Sequence, residues 1–575
     1  MNIHSFSRKF LNEEYNFTKI GNGKIGGKAS GLEFVYLNVI PSFHKQFESI
    51  EINVPSLVVL TTEVFDKFIQ LNHLAEIAYS NESDDYIAYA FQRASFPAEF
   101  VGDLRALINE VNIPLAIRSS SLLEDELQHP FAGVYETKMI PNSKLSSDLR
   151  FIQMISAIKF VYFSMFSKSA KNYIRAIEQD IQNEKMAVII QELVGQRFGD
   201  RYYPIISGVG RSYNVYPTGT NKNVEGVVNL ALGLGKTIVD GGISWSYCPK
   251  YPRSPAPFNN IKDLLNYTQQ KFWCINMGTP PPPDPLKETE YLITGDLSDA
   301  ESDKTIKHIV SSYEPNSQRF YPGLHGESAR LVDFAPVLQN DIPPLNDAII
   351  SMIEKTKEVY NSEIEIEFAI NIDTEKGLPA RIGFLQARPM MIAAGDTRIK
   401  SSELQAENNI VVTENALGDG VINGITDIVF VKPENYDSKN NRKIAKEIAE
   451  INDKLLSENR HCILIGFGRW ASSDEWYGIP VDWSQICSAR VIVEANLKNM
   501  NPDFSQGSHF FHNMLSFKVL YFSVNQKLHG KIDWDWLSTQ QTVFEKQFVK
   551  HVQAIQAIQV IVDSQSKFGV IKYVQ

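Results

Sequence analysis

The chain has 575 residues, 43% of them hydrophobic and 21% charged, which is too long for a single core and has the composition of a soluble globular protein of roughly two to four domains. Its 67 acidic residues outweigh 56 basic ones for a formal net charge of -11, and with no basic cluster to offset this a nucleic-acid partner is not expected. The four cysteines (Cys248, Cys274, Cys462 and Cys487) lie far apart, the N-terminus has no apolar signal region, and no run is read as long enough to span a membrane; the expectation is a cytoplasmic protein with buried thiols and no membrane partner.

In chain order, residues 52–54 and 57–60 read as strands. Over 62–74, Val64, Phe65, Phe68 and Ile69 recur at helical spacing, with Thr61 or Thr62 as N-cap. An apolar strand at 113–117 empties into Arg118-Ser119-Ser120-Ser121. Residues 145–180 read as a long helix or helix pair and 186–194 as a buried strand. An apolar strand within 224–243 leads to Gly233-Leu234-Gly235-Lys236. From about 250 to 303 the proline density forbids helices and central strands, which suggests an extended excursion within the first domain. The polar stretch 393–409 reads as a linker. Beyond it, short apolar runs at 428–431, 463–465 and 491–493 and helical patterns at 440–457 and 540–560 suggest an α/β domain over 410–575.

Several of these segments carry residues suited to phosphate chemistry. An arginine and three hydroxyls at a strand end offer donors to phosphate oxygens, although an isolated RSSS also fits a surface turn, and Glu124 or Asp125 would also pair with Arg118. The run from Gly21 to Leu32 is close to a P-loop but departs from it. Asn22 stands where the first glycine is required, and Ala29 rather than a hydroxyl residue follows Lys28. A glycine turn opening a helix still brings N–H groups and a lysine near an anion, and it equally suits a solvated lysine. Alternation through Glu363-Ile364-Glu365-Ile366-Glu367 puts the carboxylates on one strand face and the isoleucines on the other. Carboxylates facing a cleft suit Mg²⁺ shared with phosphates, and a solvated strand face is the plain alternative.

In their order, these segments resemble the nucleotide-binding domain of the phosphoenolpyruvate synthase and pyruvate phosphate dikinase family, an ATP-grasp type of fold. Gly26-Gly27-Lys28 with Leu32 is similar to its GGK-x-x-x-L segment, and Val54-Pro55 with Thr61 and Phe65 to its next strand and helix start. Glu367-Phe368 and Leu385-Gln386-Ala387-Arg388-Pro389 are similar to its paired strands ending in LQARP. The resemblance implies an α+β or α/β multidomain protein, with an ATP-grasp-like domain over 1–392 and a smaller α/β domain after it. It implies ATP between two lobes, with Lys28, Arg118, Ser119 and Arg388 at the phosphates and Glu367 and Gln386 on Mg²⁺. Gln191, Glu192 and Val194 would lie near the adenine, and Lys28 and Arg118 would carry catalysis. Lys236 departs from the family's GLGE turn, which leaves that turn's role open.

The complete synthase adds a swivelling phosphohistidine domain and a large barrel that binds phosphoenolpyruvate. The stretch after residue 392 is too short for both, so complete pyruvate-to-phosphoenolpyruvate chemistry is not expected of this chain alone. A glycine turn at 464–474 with Arg469 suits an anion or a tight structural turn. Gly507-Ser508-His509 before an apolar helix start loosely resembles the phosphohistidine segment; neutral imidazole is a competent phosphoryl carrier, and a buried hydrogen-bonded histidine is the other reading. His512 lies one helical turn on, with no third ligand to suggest a metal. The acceptor is then His509, a partner protein or a small molecule. The alternatives are a non-catalytic ATP-sensing module and a dikinase acting on another substrate such as a polysaccharide. Oligomeric state is not read from the sequence.

Overall fold

The computed structural model describes the chain apart from residues 1–2, 9–15, 44–45, 125–132, 177–178, 216, 218–220, 255–263, 266–267, 327, 340–342, 373–378, 391, 393–394, 473–477, 497–509, 511–512, 515–516, 526–529 and 575. The first lobe is a six-stranded sheet in the order His4–Ser5, Phe17–Ile20, Leu57–Leu60, Met186–Glu192, Leu115–Ser121, Thr137–Ile140. Its central strands are apolar at nearly every position because both faces are covered. Val58 and Leu60 enter one core with the helices Thr62–Leu71, Asp84–Arg93, Ala98–Glu110 and Ser147–Ser164, while Leu57 and Val59 enter a second.

That second core belongs to the other lobe, another six-stranded sheet in the order Trp245–Tyr247, Val227–Ala231, Ile206–Arg211, Ile364–Asn371, Ala380–Pro389, Ile50–Asn53. The helix Leu345–Tyr360 packs Ile349, Met352 and Ile353 into it. The expected pairing of 364–371 with 380–389 is present and antiparallel, setting Glu365 opposite Arg388 and Glu367 opposite Gln386.

Between the proline clusters the chain is more regular than its composition implies. Lys271–Asn276 and Leu292–Asp296 pair and join Arg201–Tyr203 and Gln196–Phe198 in a four-stranded sheet. Proline density obscured two short strands, because Pro280 to Pro283 fall in their connection.

The C-terminal region builds one sheet of ten strands, beginning with Asn409–Thr413. Gly420–Val431, Cys462–Phe467, Ala489–Ala495 and Leu520–Val524 are parallel neighbours, and the helix Asn441–Ser457 connects the first two. The helix expected at 540–560 is not formed. Gln541–Glu545 and Val549–Asp563 are strands, the second paired along Gly420–Val431, so tertiary pairing and β-branched content override the apparent helical spacing.

The stretch Ser147–Arg175 is long and apolar enough to cross a membrane, contrary to the expectation from sequence. Yet 72% of its most apolar window is buried in the fold, and it is a helix pair, Ser147–Ser164 then Lys168–Ala176. The second helix receives the C-terminal domain: Lys168 pairs with Asp453 at 2.8 Å, Ser169 Oγ donates to Ser484 Oγ at 2.8 Å, and Tyr173 packs edge-on against Phe517.

Candidate functional site

The glycine loop before the helix Gly27–Asn38 is held from behind. The N–H groups of Asn22, Gly23 and Lys24 donate to Glu63 Oε2, Thr61 Oγ1 and Thr62 Oγ1 at 2.6, 3.2 and 3.1 Å. The expected threonine N-cap is therefore a loop anchor, with no side-chain cap bond at Thr61, and these N–H groups are engaged by protein rather than free for phosphate. Gly26 is required: its φ is +76° and a Cβ there would lie 1.7 Å from the Ser120 carbonyl oxygen. Ser120 Oγ accepts from Ala29 N at 3.0 Å and donates to the Ile25 carbonyl at 2.8 Å, fixing the helix to the arginine-bearing strand.

This anchoring brings Lys28 to the strand Leu115–Ser121. Its Nζ lies 2.7 Å from Glu124 Oε1 and donates to Ser119 Oγ at 3.0 Å. Glu124 is fully buried and also accepts from Ser119 Oγ and Ser121 N, both at 2.8 Å. Sequence alone offered Glu124 or Asp125 to Arg118 as the plain alternative; the partner of Glu124 is Lys28, and Asp125 lies outside the described residues. Two of the three serines thus organise a lysine–carboxylate pair, and Ser119 is buried behind the cavity lining.

Lys28 and Arg118 line a cavity of about 500 Å³ between the lobes. Arg118 is set differently from Lys28. Nη1 donates to Gln191 Oε1 at 3.1 Å and to the Leu385 carbonyl at 2.8 Å, and Nη2 to Gln386 Oε1 at 2.7 Å. All three acceptors are neutral, so its charge is oriented from both lobes without a neutralising carboxylate among the described residues. Gln191 and Glu192 line the same cavity, and burial raises the Glu192 carboxyl pKa. Val194 lies outside the lining and packs toward the second lobe, where a Cβ on Gly383 would come within 2.4 Å of it. Leu193, Met139 and Leu292 supply an apolar wall.

The three remaining phosphate and metal candidates separate from one another. Arg388 is 2% exposed and bonds Glu365, its Nε donating to Oε1 at 2.9 Å, while Arg211 Nε holds the other oxygen at 2.6 Å. Expected at the phosphates, Arg388 instead sits behind the lining in this buried ion network. Glu367 does line the cavity, 17% exposed and 3.8 Å from Arg388 Nη2. Mg²⁺ needs only one or two protein carboxylates alongside phosphate and water, so Glu367 fits such a role. Gln386 fits less well, because its Oε1 already accepts from Arg118. Among the described residues no group of three or more acidic, histidine or cysteine side chains is arranged to hold a metal by itself.

Apart from Lys236, an acidic group in the cavity lining was not singled out from sequence. Lys236 lies 2.9 Å from Asp240 and 2.6 Å from Glu288. Burial disfavours its ammonium, but these carboxylates prevail and raise its pKa. Lys236 is thus neutralised by two acids. Glu136 is exposed to the cavity, and desolvation by the protein around it with the nearby Glu288 charge raises its pKa to about 8. Asp482, from the C-terminal domain, is raised by burial and by Asp240.

C-terminal residues form part of the lining: Ala471, Ser472, Pro480 to Ser484, Phe510 and Asn513. His509 and His512 lie outside the described residues, as does part of the 464–474 turn. Sequence reasoning missed this contribution because Val481-Asp482-Trp483 has neither periodicity nor motif and gains its meaning only from docking.

The family described as pyruvate phosphate dikinase, AMP/ATP-binding domain, matches residues 22–409. The chain is 25% identical over 440 residues to a phosphoenolpyruvate synthase of Aeropyrum pernix, covering 71% of this chain and 46% of that protein. It is also 25% identical over 194 residues to YvkC, an uncharacterized phosphotransferase of Bacillus subtilis, covering 33% of this chain and 20% of that protein. The chain therefore spans less than half the length of these curated relatives. The matched residues include most of both lobes that wall the cavity and well over half of the sequence, and the protein belongs to the pyruvate phosphate dikinase AMP/ATP-binding domain family.

Proposed function

We propose that the protein is an Mg²⁺–ATP-dependent phosphotransferase in which ATP occupies the cavity between the lobes. The observation that carries this reading is Arg118, a permanent cation held by three neutral acceptors and without a carboxylate partner among the described residues. Phosphoryl transfer asks mainly for positioning and for neutralisation of charge spread over the transferring oxygens, which such an arginine supplies. Lys28 stands beside it, its charge balanced by Glu124. The apolar wall of Met139, Leu193 and Leu292 suits a base. Mg²⁺ arriving with the nucleotide would be held by Glu367, where it would neutralise phosphate charge.

The acceptor in this proposal is His509, whose chain neighbour Phe510 lines the cavity, or a group on a partner molecule. The phosphorus–oxygen bond to the leaving nucleotide breaks as the bond to the acceptor forms. A cytoplasmic location belongs to the same proposal, in keeping with four buried free cysteines. A second reading, a nucleotide sensor, is favoured by the docking of the C-terminal domain over the cavity, since occupancy would bias the orientation of that domain.

ATP labelled separately at the β and γ positions, with Mg²⁺, tests the two. Acid-labile label on the protein that is lost in His509→Ala supports a histidine carrier, and label from the β position indicates dikinase chemistry. ATP binding without transfer to the protein or to any supplied acceptor leaves the sensor reading and removes the kinase.

A further inference from the structure

We infer that Tyr202 is a positioning residue for the nucleobase: with Ile275 and Leu292 it forms a row across the four-stranded sheet that sets the apolar wall of the cavity. This rests on the reading of the cavity as an ATP site and deepens it, by giving the base and the phosphates separately supported parts of the lining.

Strand register builds the row. Tyr202 lies opposite Ile275 on the neighbouring strand, and Ile275 lies opposite Leu292 on the next. Directly opposed residues share one face of a sheet, so the three side chains are neighbours across it. Tyr202 and Ile275 join Leu234 and Met277 in a small core separate from the two large ones, and Met139, Leu193 and Leu292 pack against it. These last three also line the cavity. The apolar wall is therefore backed by a core of its own.

The Tyr202 hydroxyl ties this core to the chain beside the cavity, donating to the Leu193 carbonyl at 2.8 Å. Burial raises its pKa, with the Glu192 charge adding to the effect, so it stays a proton donor at neutral pH. The same segment is held at two further points. Glu192 N donates to the Ser56 carbonyl and Leu193 N to the Pro114 carbonyl, both at 3.0 Å. Gly195 is required where the chain passes the ring, because a Cβ there would come within 2.5 Å of Tyr202. With its N–H and its carbonyl both engaged, Leu193 is ordered before a ligand arrives, and a preorganised wall lowers the cost of binding a flat base. Arg118 and Lys28 draw on other partners: Gln191, Leu385 and Gln386 for the arginine, Ser119 and Glu124 for the lysine. Loss of the Tyr202 hydroxyl should therefore be felt at the base and not at the phosphates.

Equilibrium titration of the full chain with Mg²⁺–ATP, and competition by Mg²⁺–tripolyphosphate, on wild type and Tyr202→Phe, tests this. The variant keeps the ring and the row and removes only the hydroxyl. ATP is expected to bind about fivefold more weakly to the variant, while tripolyphosphate binds both proteins equally well. Hydrogen exchange of the nucleotide-free proteins gives a second readout: the amides of residues 193–195 are expected to exchange faster in Tyr202→Phe, with exchange elsewhere unchanged. Unchanged ATP affinity, equal weakening of ATP and tripolyphosphate, failure of tripolyphosphate to compete in either protein, or unchanged exchange at 193–195 would each overturn the proposal. ATP binding by wild type that Arg118→Ala abolishes and Tyr202→Phe leaves intact would overturn this inference alone. No ATP binding by wild type would remove the ATP reading with it.

Discussion

Arg118 and Arg388 are two arginines from opposite lobes that meet near one strand, Ala380–Pro389, and their surroundings assign them different work. Arg118 reaches across to the Leu385 carbonyl and the Gln386 amide and finds only neutral acceptors among the described residues. Arg388, two residues beyond Gln386, is closed in by Glu365, which also binds Arg211. The same guanidinium group is a ligand-ready cation in one place and a structural tie in the other. The partner set, not the residue type, decides which. Lys28 is intermediate, facing the cavity with its charge already balanced by Glu124.

The contrast is most severely tested by Arg388→Ala. Removing one partner from a buried ion network leaves Glu365 short of its counter-charge, and a stability loss of about 3–5 kcal/mol is expected in denaturant unfolding. A loss below about 1 kcal/mol, with nucleotide affinity lost instead, would return Arg388 to the phosphates.

A smaller effect is expected from pH. The Glu136 carboxyl, raised to about 8 by desolvation and by Glu288, is neutral below that pH and charged above it. The groups around it are Glu288, Lys236, Asp482 and Asp240. Its ionisation adds negative charge to a cavity meant for a polyanion, so ATP affinity is expected to be full on the neutral side and to fall a few-fold from about pH 7 to 9. Glu136→Gln should flatten that slope in titrations across the range. An equally steep slope in the variant would place the titrating group elsewhere.

The smallest effect tests the loop that presents Lys28. Thr62→Val removes the acceptor for Lys24 N and is expected to cost about 1 kcal/mol of stability in thermal unfolding, with ATP affinity little changed. A large affinity loss at constant stability would mean that the glycine loop touches the nucleotide directly.

The sequence made the cavity's basic end legible because motif and register coincide there. Glu367 and Gln386 are cross-strand partners, and Arg118 lies within the strand Leu115–Ser121, paired along Met186–Glu192. It misled at Arg388 because a motif names a residue without naming its partners. It misled at 540–560 because Val549–Asp563 buries consecutive residues and its pairing with Gly420–Val431 shifts register partway, so the simple alternation that marks a half-buried strand is lost. It was silent on Trp483 and Asp482, whose place at the cavity depends on contacts between Lys168–Ala176 and the C-terminal domain, far apart in sequence.

The most direct measurement is calorimetric titration of the wild-type chain and Arg118→Ala with Mg²⁺–ATP. Saturable binding by wild type, weakened about a hundredfold or more in a variant that remains folded, is the predicted result. Equal affinity in the two proteins, or no binding by either, would contradict an ATP site organised around an unneutralised arginine.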